Sequence, residues 1–187
     1  MNLTTLEYPP LTEDIEEAKT HLDKYGMALI ANVLSEDEVD EMDKRLNEQF
    51  LGEEKHKVGS KVRGDEGLGV QSADEEKVSR LVWNLINKGD CFLKLIDHPK
   101  ILPLIQHLIG DRVCLCSMGA HMNGSGNEKM ALHQDQWPLV PHPMDFPFMA
   151  NVMYLISDNS PENGGTRLIP GSHKWPLIDY RMANGEE

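Results

Sequence analysis

Residues 133 to 135 read His133-Gln134-Asp135, and this short run carries the most chemistry in the chain. On an extended segment, side chains two residues apart leave the same face, with Cα atoms about 6.5 Å apart. An imidazole and a carboxylate so placed hold one ion between them, while Gln134 points the other way. A nitrogen donor beside an anionic oxygen suits iron(II), manganese or zinc. Two His and one carboxylate with open positions is the pattern of non-haem iron oxygenases. The triplet alone does not decide the matter. In a chain with 8 His and 31 acidic residues, a surface His beside a surface Asp produces the same letters.

The elements that must position this pair divide the chain in two. Up to residue 110 the periodicity predicts mainly helices. Glu13 and Asp14 follow Thr12 at a helix amino end, with Ile15, Leu22 and Tyr25 on one stripe and Gly26 as the stop. Met27 to Asn32 is a short apolar run expected as a strand. Ser35 and Glu38 form a capping box before a helix striped by Val39, Met42, Leu46 and Phe50. Residues 51 to 73 are rich in glycine and charge, and are expected as a long loop able to act as a lid. Glu75 to Asn87 is expected as a helix, as is a stretch opened by Pro99 and closed by Gly110.

After residue 111 the texture changes to strands joined by turns. The strands expected are Arg112 to Ser117, Met130 to Asp135, Phe148 to Ile156 and Thr166 to Ile169. Turns fall at Asn123-Gly124-Ser125-Gly126 and Pro161-Glu162-Asn163-Gly164-Gly165. Helices first and strands after, with no helices between the strands, predicts an α+β fold with a largely antiparallel sheet or barrel.

Bulk properties narrow the function classes. A length of 187 residues suits one domain, and 40% apolar with 26% charged residues is the balance of a soluble globular protein. The apolar runs fall short of the ~20 residues a membrane helix needs. Met1 to Pro10 has no basic start or apolar stretch of a secretory signal, so a cytoplasmic location is expected. A net charge of −13 repels a nucleic-acid backbone. The basic cluster Lys55, His56, Lys57, Lys61 and Arg63 reads as a solvated loop. Three cysteines without a CxxC pair argue against a disulfide framework, and Cys114 and Cys116 are expected on one face of a strand as small hydrophobes.

Three ordered blocks raise the triplet above chance. Leu132-His133-Gln134-Asp135-Gln136 resembles the iron-ligand strand of the phytanoyl-CoA dioxygenase-like family. Ser160-Pro161-Glu162-Asn163-Gly164-Gly165-Thr166-Arg167-Leu168-Ile169-Pro170-Gly171-Ser172-His173-Lys174 resembles its second hallmark. Tyr25-Gly26 through Val33-Leu34-Ser35 resembles its amino-terminal entry. The resemblance implies a double-stranded β-helix of jelly-roll or cupin type with amino-terminal helices. Residues 1–187 would form a single domain, with the first strands of the β-helix in 111–187 and its C-terminal strands absent. It also implies iron(II), 2-oxoglutarate and dioxygen as reactants in the oxidation of a C–H bond. His133 and Asp135 would be metal ligands, and a carboxylate at 135 favours hydroxylation, desaturation or ring chemistry over halogenation.

Further residues carry over from the resemblance. Thr166 matches a hydroxyl that contacts 2-oxoglutarate in some relatives, or is a plain strand-entry Thr. Asn151, a polar residue on an otherwise apolar face of its strand, is either a cosubstrate contact or a satisfied core amide. Trp137, His142 and Phe146 are candidate linings of the substrate pocket, or ordinary packing. The apolar, proline-rich run from Trp137 to Phe146 suggests a compact hydrophobic metabolite. His173 invites assignment as the second imidazole, but the family's His in this motif does not bind iron.

The family's third metal ligand is a second His. It lies several tens of residues beyond the Pro-Gly-Ser-His motif, with an Arg that pairs with 2-oxoglutarate. Here no His follows His173, Arg181 comes too early, and the sequence ends at Glu187. The third ligand is therefore expected beyond Glu187. Three expectations stand open. The sequence is a fragment of a longer enzyme; or it is a truncated relative that acts as a binding or scaffold subunit of a homo- or hetero-oligomer; or His173 or a second chain completes the site. A cupin-type metal enzyme that does not use 2-oxoglutarate is a further alternative.

Overall fold

The computed structural model describes residues 7–62, 79–123, 133, 135 and 146–174. Residues 63–73 of the expected lid loop, and most of the expected strand from Met130 to Asp135, lie outside the described residues. A short strand β1 (Leu11–Thr12) leads into helix α1 (Ile15–Tyr25) and then strand β2 (Leu29–Ile30), which lies parallel to β1. Asp14 caps α1, its Oδ1 accepting the backbone N–H groups of Glu16 at 2.8 Å and Glu17 at 3.0 Å. The cap is therefore the third residue of the Thr12-Glu13-Asp14 run, while Thr12 itself belongs to β1. Gly26 ends the helix at φ 74°, a left-handed conformation that favours glycine.

Helix α2 (Glu36–Lys55) opens on the expected capping box. The Ser35 hydroxyl accepts the Glu38 N–H at 3.3 Å, and the Glu38 carboxylate accepts the Ser35 N–H at 2.9 Å. It runs further than its sequence signals suggest. Residues 51–55, expected as loop, stay helical, and residues 60–62 form strand β3 (Ser60–Val62). Near the helix end the buried Glu53 carboxylate receives the Gln49 amide at 2.9 Å and pairs with the Lys88 ammonium. A buried charge without such partners carries a large desolvation penalty, so this network holds the end of α2 in place.

The sheet corrects two expectations. Strand β4 (Ser79–Val82) lies between β3 and strand β5 (Ala120–Met122), antiparallel to both, with Leu81 opposite Ser60 and His121, and Val82 opposite Ala120. Residues 79–82 were expected to be helical. Their apolar positions fit either period, and pairing on both edges decides for strand. Asn84, at φ 56°, breaks the run before a single 3-10 turn at Leu85–Asn87. The amino-terminal part is thus not purely helical, because among the described residues β1 to β4 all lie before residue 110.

Helix α3 (Asp90–Leu93) and helix α4 (Leu102–Ile109) follow. Pro103, not Pro99, occupies the first turn of α4, and Gly110 closes it. The core is formed by Met42, Leu46 and Phe50 of α2, Val82 of β4, and Leu85, Cys91, Phe92 and Leu95. Leu34, Met118, Ala120, Tyr154 and Ile156 pack around it.

Beyond residue 110, β5 is the one strand with ladder partners among the described residues. Arg112–Ser117, Phe148–Ile156 and Thr166–Ile169 are without such partners there. Cys114 and Cys116 are accordingly exposed and not inward-facing. Helices with small sheets make the fold α+β. Among the described residues no helix is long and apolar enough to cross a membrane.

Candidate metal centre

The ends of the described chain are brought together by the Pro-Gly-Ser-His segment. Gly171 donates its N–H to the Tyr25 carbonyl at 2.7 Å, and His173 Nε2 lies 3.3 Å from the Asp23 carbonyl. A side chain at Gly26 would run into the His173 ring. The contacts therefore place His173 on the end of α1, where it acts as a clasp. This is a structural use of the motif that most strongly marked the family resemblance.

A second clamp fixes the glycine turn. Ser160 caps the short 3-10 turn Pro161–Asn163, and its hydroxyl holds the Glu162 carboxyl below the ordinary carboxylate range. Gly164 has φ 81°, and the Asn123 amide donates to its carbonyl at 2.8 Å. A Cβ at Gly164 would come within 2.9 Å of that amide nitrogen. Asn123 in turn accepts a hydrogen bond from Ser79 of β4 at 3.3 Å. Asn123 was visible in the sequence only as a turn former, and nothing local reveals its partner 41 positions away.

Of the candidate site residues, three converge. His133 Nε2 lies 3.3 Å from Asp135 Oδ1, with side chains 43% and 50% exposed. The Asn151 amide donates to the other carboxylate oxygen, Oδ2, at 2.5 Å. Asp135 sits in a turn, so the two donors meet without a strand ladder to align them. Asn151 is exposed, not buried on an apolar face. Its segment is tied to the core by Tyr154, whose hydroxyl donates to the Leu95 carbonyl at 2.8 Å and whose ring packs edge-on to His98. Burial pushes the Tyr154 hydroxyl up to about 12.

The other candidates are not brought to this cluster. Thr166 is exposed, and no hydrogen bond among the described residues joins it to His133 or Asp135. Phe146 is 60% exposed at the start of the Asn151 segment. Trp137 and His142 lie outside the described residues. So do residues 175–187, from Trp175 to Glu187. His173, the last imidazole before Glu187, is committed to α1 and not to the His133–Asp135 pair.

The donor set fits a divalent ion of intermediate hardness. Adjacent donors that share one ion at about 2.1 Å stand roughly 3 Å apart, close to the 3.3 Å between Nε2 and Oδ1. Among the described residues no group of three or more His, Cys, Asp or Glu is placed to hold a metal. The pair offers one imidazole nitrogen and one carboxylate oxygen.

Comparison with known proteins agrees with the motif reading. The phytanoyl-CoA dioxygenase (PhyH) family matches residues 22–186. The chain belongs to that family. Dioxygenase af480 of Aspergillus fumigatus is 31% identical over 165 residues, covering 88% of this chain and 51% of that protein. A probable alpha-ketoglutarate-dependent hypophosphite dioxygenase of Stutzerimonas stutzeri is 27% identical, covering 73% of this chain and 51% of its own length. Dioxygenase sphC of Aspergillus fumigatus is 24% identical, covering 87% and 46%. The chain spans about half the length of these curated PhyH relatives. No solved structure matches at a significant level.

Proposed function

We propose that this chain carries part of the active site of an iron(II)- and 2-oxoglutarate-dependent dioxygenase that oxidises a C–H bond of a compact, hydrophobic metabolite. The observation that carries the reading is the approach of His133 Nε2 to Asp135 Oδ1 at 3.3 Å. Family membership and a relative named as alpha-ketoglutarate-dependent support it. On this reading the whole chain is one domain. Its later segments supply the first strands of a double-stranded β-helix. The remaining strands, and the third metal ligand, lie outside the described residues. An oligomer that supplies them from a second chain has the same requirement. A cytoplasmic location is in keeping with this chemistry.

Iron(II) bound there supplies one-electron chemistry with dioxygen that protein side chains lack. The chain's own contributions are ligation and orientation. The neutral imidazole of His133 offers a nitrogen lone pair, and Asp135 offers an anionic oxygen that offsets the charge of the ion. Thr166, as a hydroxyl donor, is assigned to a carboxylate of 2-oxoglutarate. Trp137, His142 and Phe146 are assigned to the substrate wall, where apolar bulk excludes water from the reacting carbon.

Anaerobic addition of iron(II) and 2-oxoglutarate tests the proposal. Wild-type protein is expected to develop a visible charge-transfer band that His133→Ala abolishes, and to release succinate once air is admitted. A band of equal strength in both proteins refutes the assignment of His133. Turnover without 2-oxoglutarate or oxygen points instead to cupin-type metal chemistry.

A further inference from the structure

A carboxylate ligand has two equivalent oxygens and rotates readily about its last bond. Left alone, it exchanges them, or chelates through both and occupies a second coordination position. Asp135 is not left alone. Its Oδ2 accepts the Asn151 amide at 2.5 Å, while Oδ1 faces His133 Nε2 at 3.3 Å. The amide therefore breaks the symmetry of the carboxylate. It engages Oδ2 and leaves Oδ1 beside the imidazole.

We propose that Asn151 is a positioning residue that holds Asp135 as a one-oxygen metal ligand, an inference that rests on the reading of His133 and Asp135 as ligands. Three features fit the role. The amide is neutral, so it orders the carboxylate without the competing charge that a Lys or Arg would bring next to a cation. Its bond to an ionised acceptor is charge-assisted and thus stronger than an ordinary amide contact. Its backbone is anchored, because Tyr154 in the same segment bonds to the Leu95 carbonyl and Ile156 packs on the core. The position of Asp135 is thereby referred to the hydrophobic core through Asn151 and Tyr154. A ligand held to a single oxygen leaves a coordination position open for a chelating cosubstrate.

Manganese(II) provides a probe that needs no turnover. Its free signal in electron paramagnetic resonance measures binding to wild type, Asn151→Ala, Asn151→Leu and His133→Ala. Loss of an outer partner of a metal ligand typically weakens affinity about 10- to 100-fold. Both Asn151 variants are expected to bind at least about tenfold more weakly than wild type, with the urea midpoint of the metal-free protein unchanged because the residue is exposed. Metal-induced infrared difference spectra should show a narrower splitting between the two carboxylate stretches in Asn151→Leu, as Asp135 turns to chelation. Wild-type affinity and splitting in both Asn151 variants overturn the inference while leaving the metal site standing. Manganese uptake that is equal in wild type and His133→Ala removes the metal site itself, and the role of Asn151 with it.

Discussion

The Tyr154 hydroxyl shows how one atom supports the site from a distance. It is half-buried, it donates to the Leu95 carbonyl, and it fixes the segment that carries Asn151. Tyr154→Phe keeps the ring but leaves that carbonyl without this donor, and is expected to cost about 1 kcal/mol in urea unfolding. Its titration adds a direction. The folded hydroxyl, at about 12 against an ordinary value of 10, stays protonated where the unfolded chain ionises. Stability from this group is complete below pH 10 and declines as pH rises toward 12. Wild type should lose more stability than Tyr154→Phe across that window. At the opposite end of the pH scale stands Glu38. The Ser35 backbone N–H, then the Ser35 hydroxyl, hold its carboxyl below the ordinary 4.5. Its contribution is present above that value and is lost as pH falls through the lowered one. Glu38→Gln should therefore flatten the acid limb of the stability profile measured by urea midpoints.

Among elements, the join between α1 and the Pro-Gly-Ser-His segment is the most testable. Gly26 needs a left-handed backbone, and its missing Cβ is the space taken by the His173 ring. Gly26→Ala should destabilise by more than the ~1 kcal/mol typical of a conformational misfit alone. In a double-mutant cycle His173→Ala should recover the steric part, giving a coupling of at least about 0.5 kcal/mol. The same element level shows what the sequence made legible. Helix α2 was readable because its capping box and apolar stripe are local. Strand β4 was not, because Leu81, Val82 and Leu85 fit a helical stripe as well as a paired strand, and its partners lie in β3 and β5. At the site, the nearness of His133 and Asp135 is in keeping with their spacing, but Asp135 sits in a turn and not on the extended strand expected to align them. The bond from Asn151 was not legible, since it spans 16 positions and depends on a turn. His173 was set apart from the metal by its motif, but its packing on Gly26 could be found only in three dimensions.

Among the described residues the dense core lies among α2, α3 and β4, while many apolar side chains of the later segments stay exposed. Val113, Leu115, Val152, Met153, Leu155 and Leu168 are all exposed large hydrophobics. Exposed apolar surface of this kind is suited to contact with further protein. Binding of a metal to the folded state alone raises the stability of the whole by mass action, about 2.7 kcal/mol at a hundredfold excess over the dissociation constant. Anaerobic iron(II) should therefore raise the thermal midpoint of wild type and leave that of His133→Ala unmoved.

The clasp at Gly26 also has a temporal consequence. His173 and the Asp23 carbonyl meet across 150 residues of chain, so closing it encloses nearly every other element, and the loop entropy must be met before the contact gives anything back. Such a seam closes late, after α2 and β4 have found each other. Loosening it should hasten unfolding and leave the refolding rate nearly untouched.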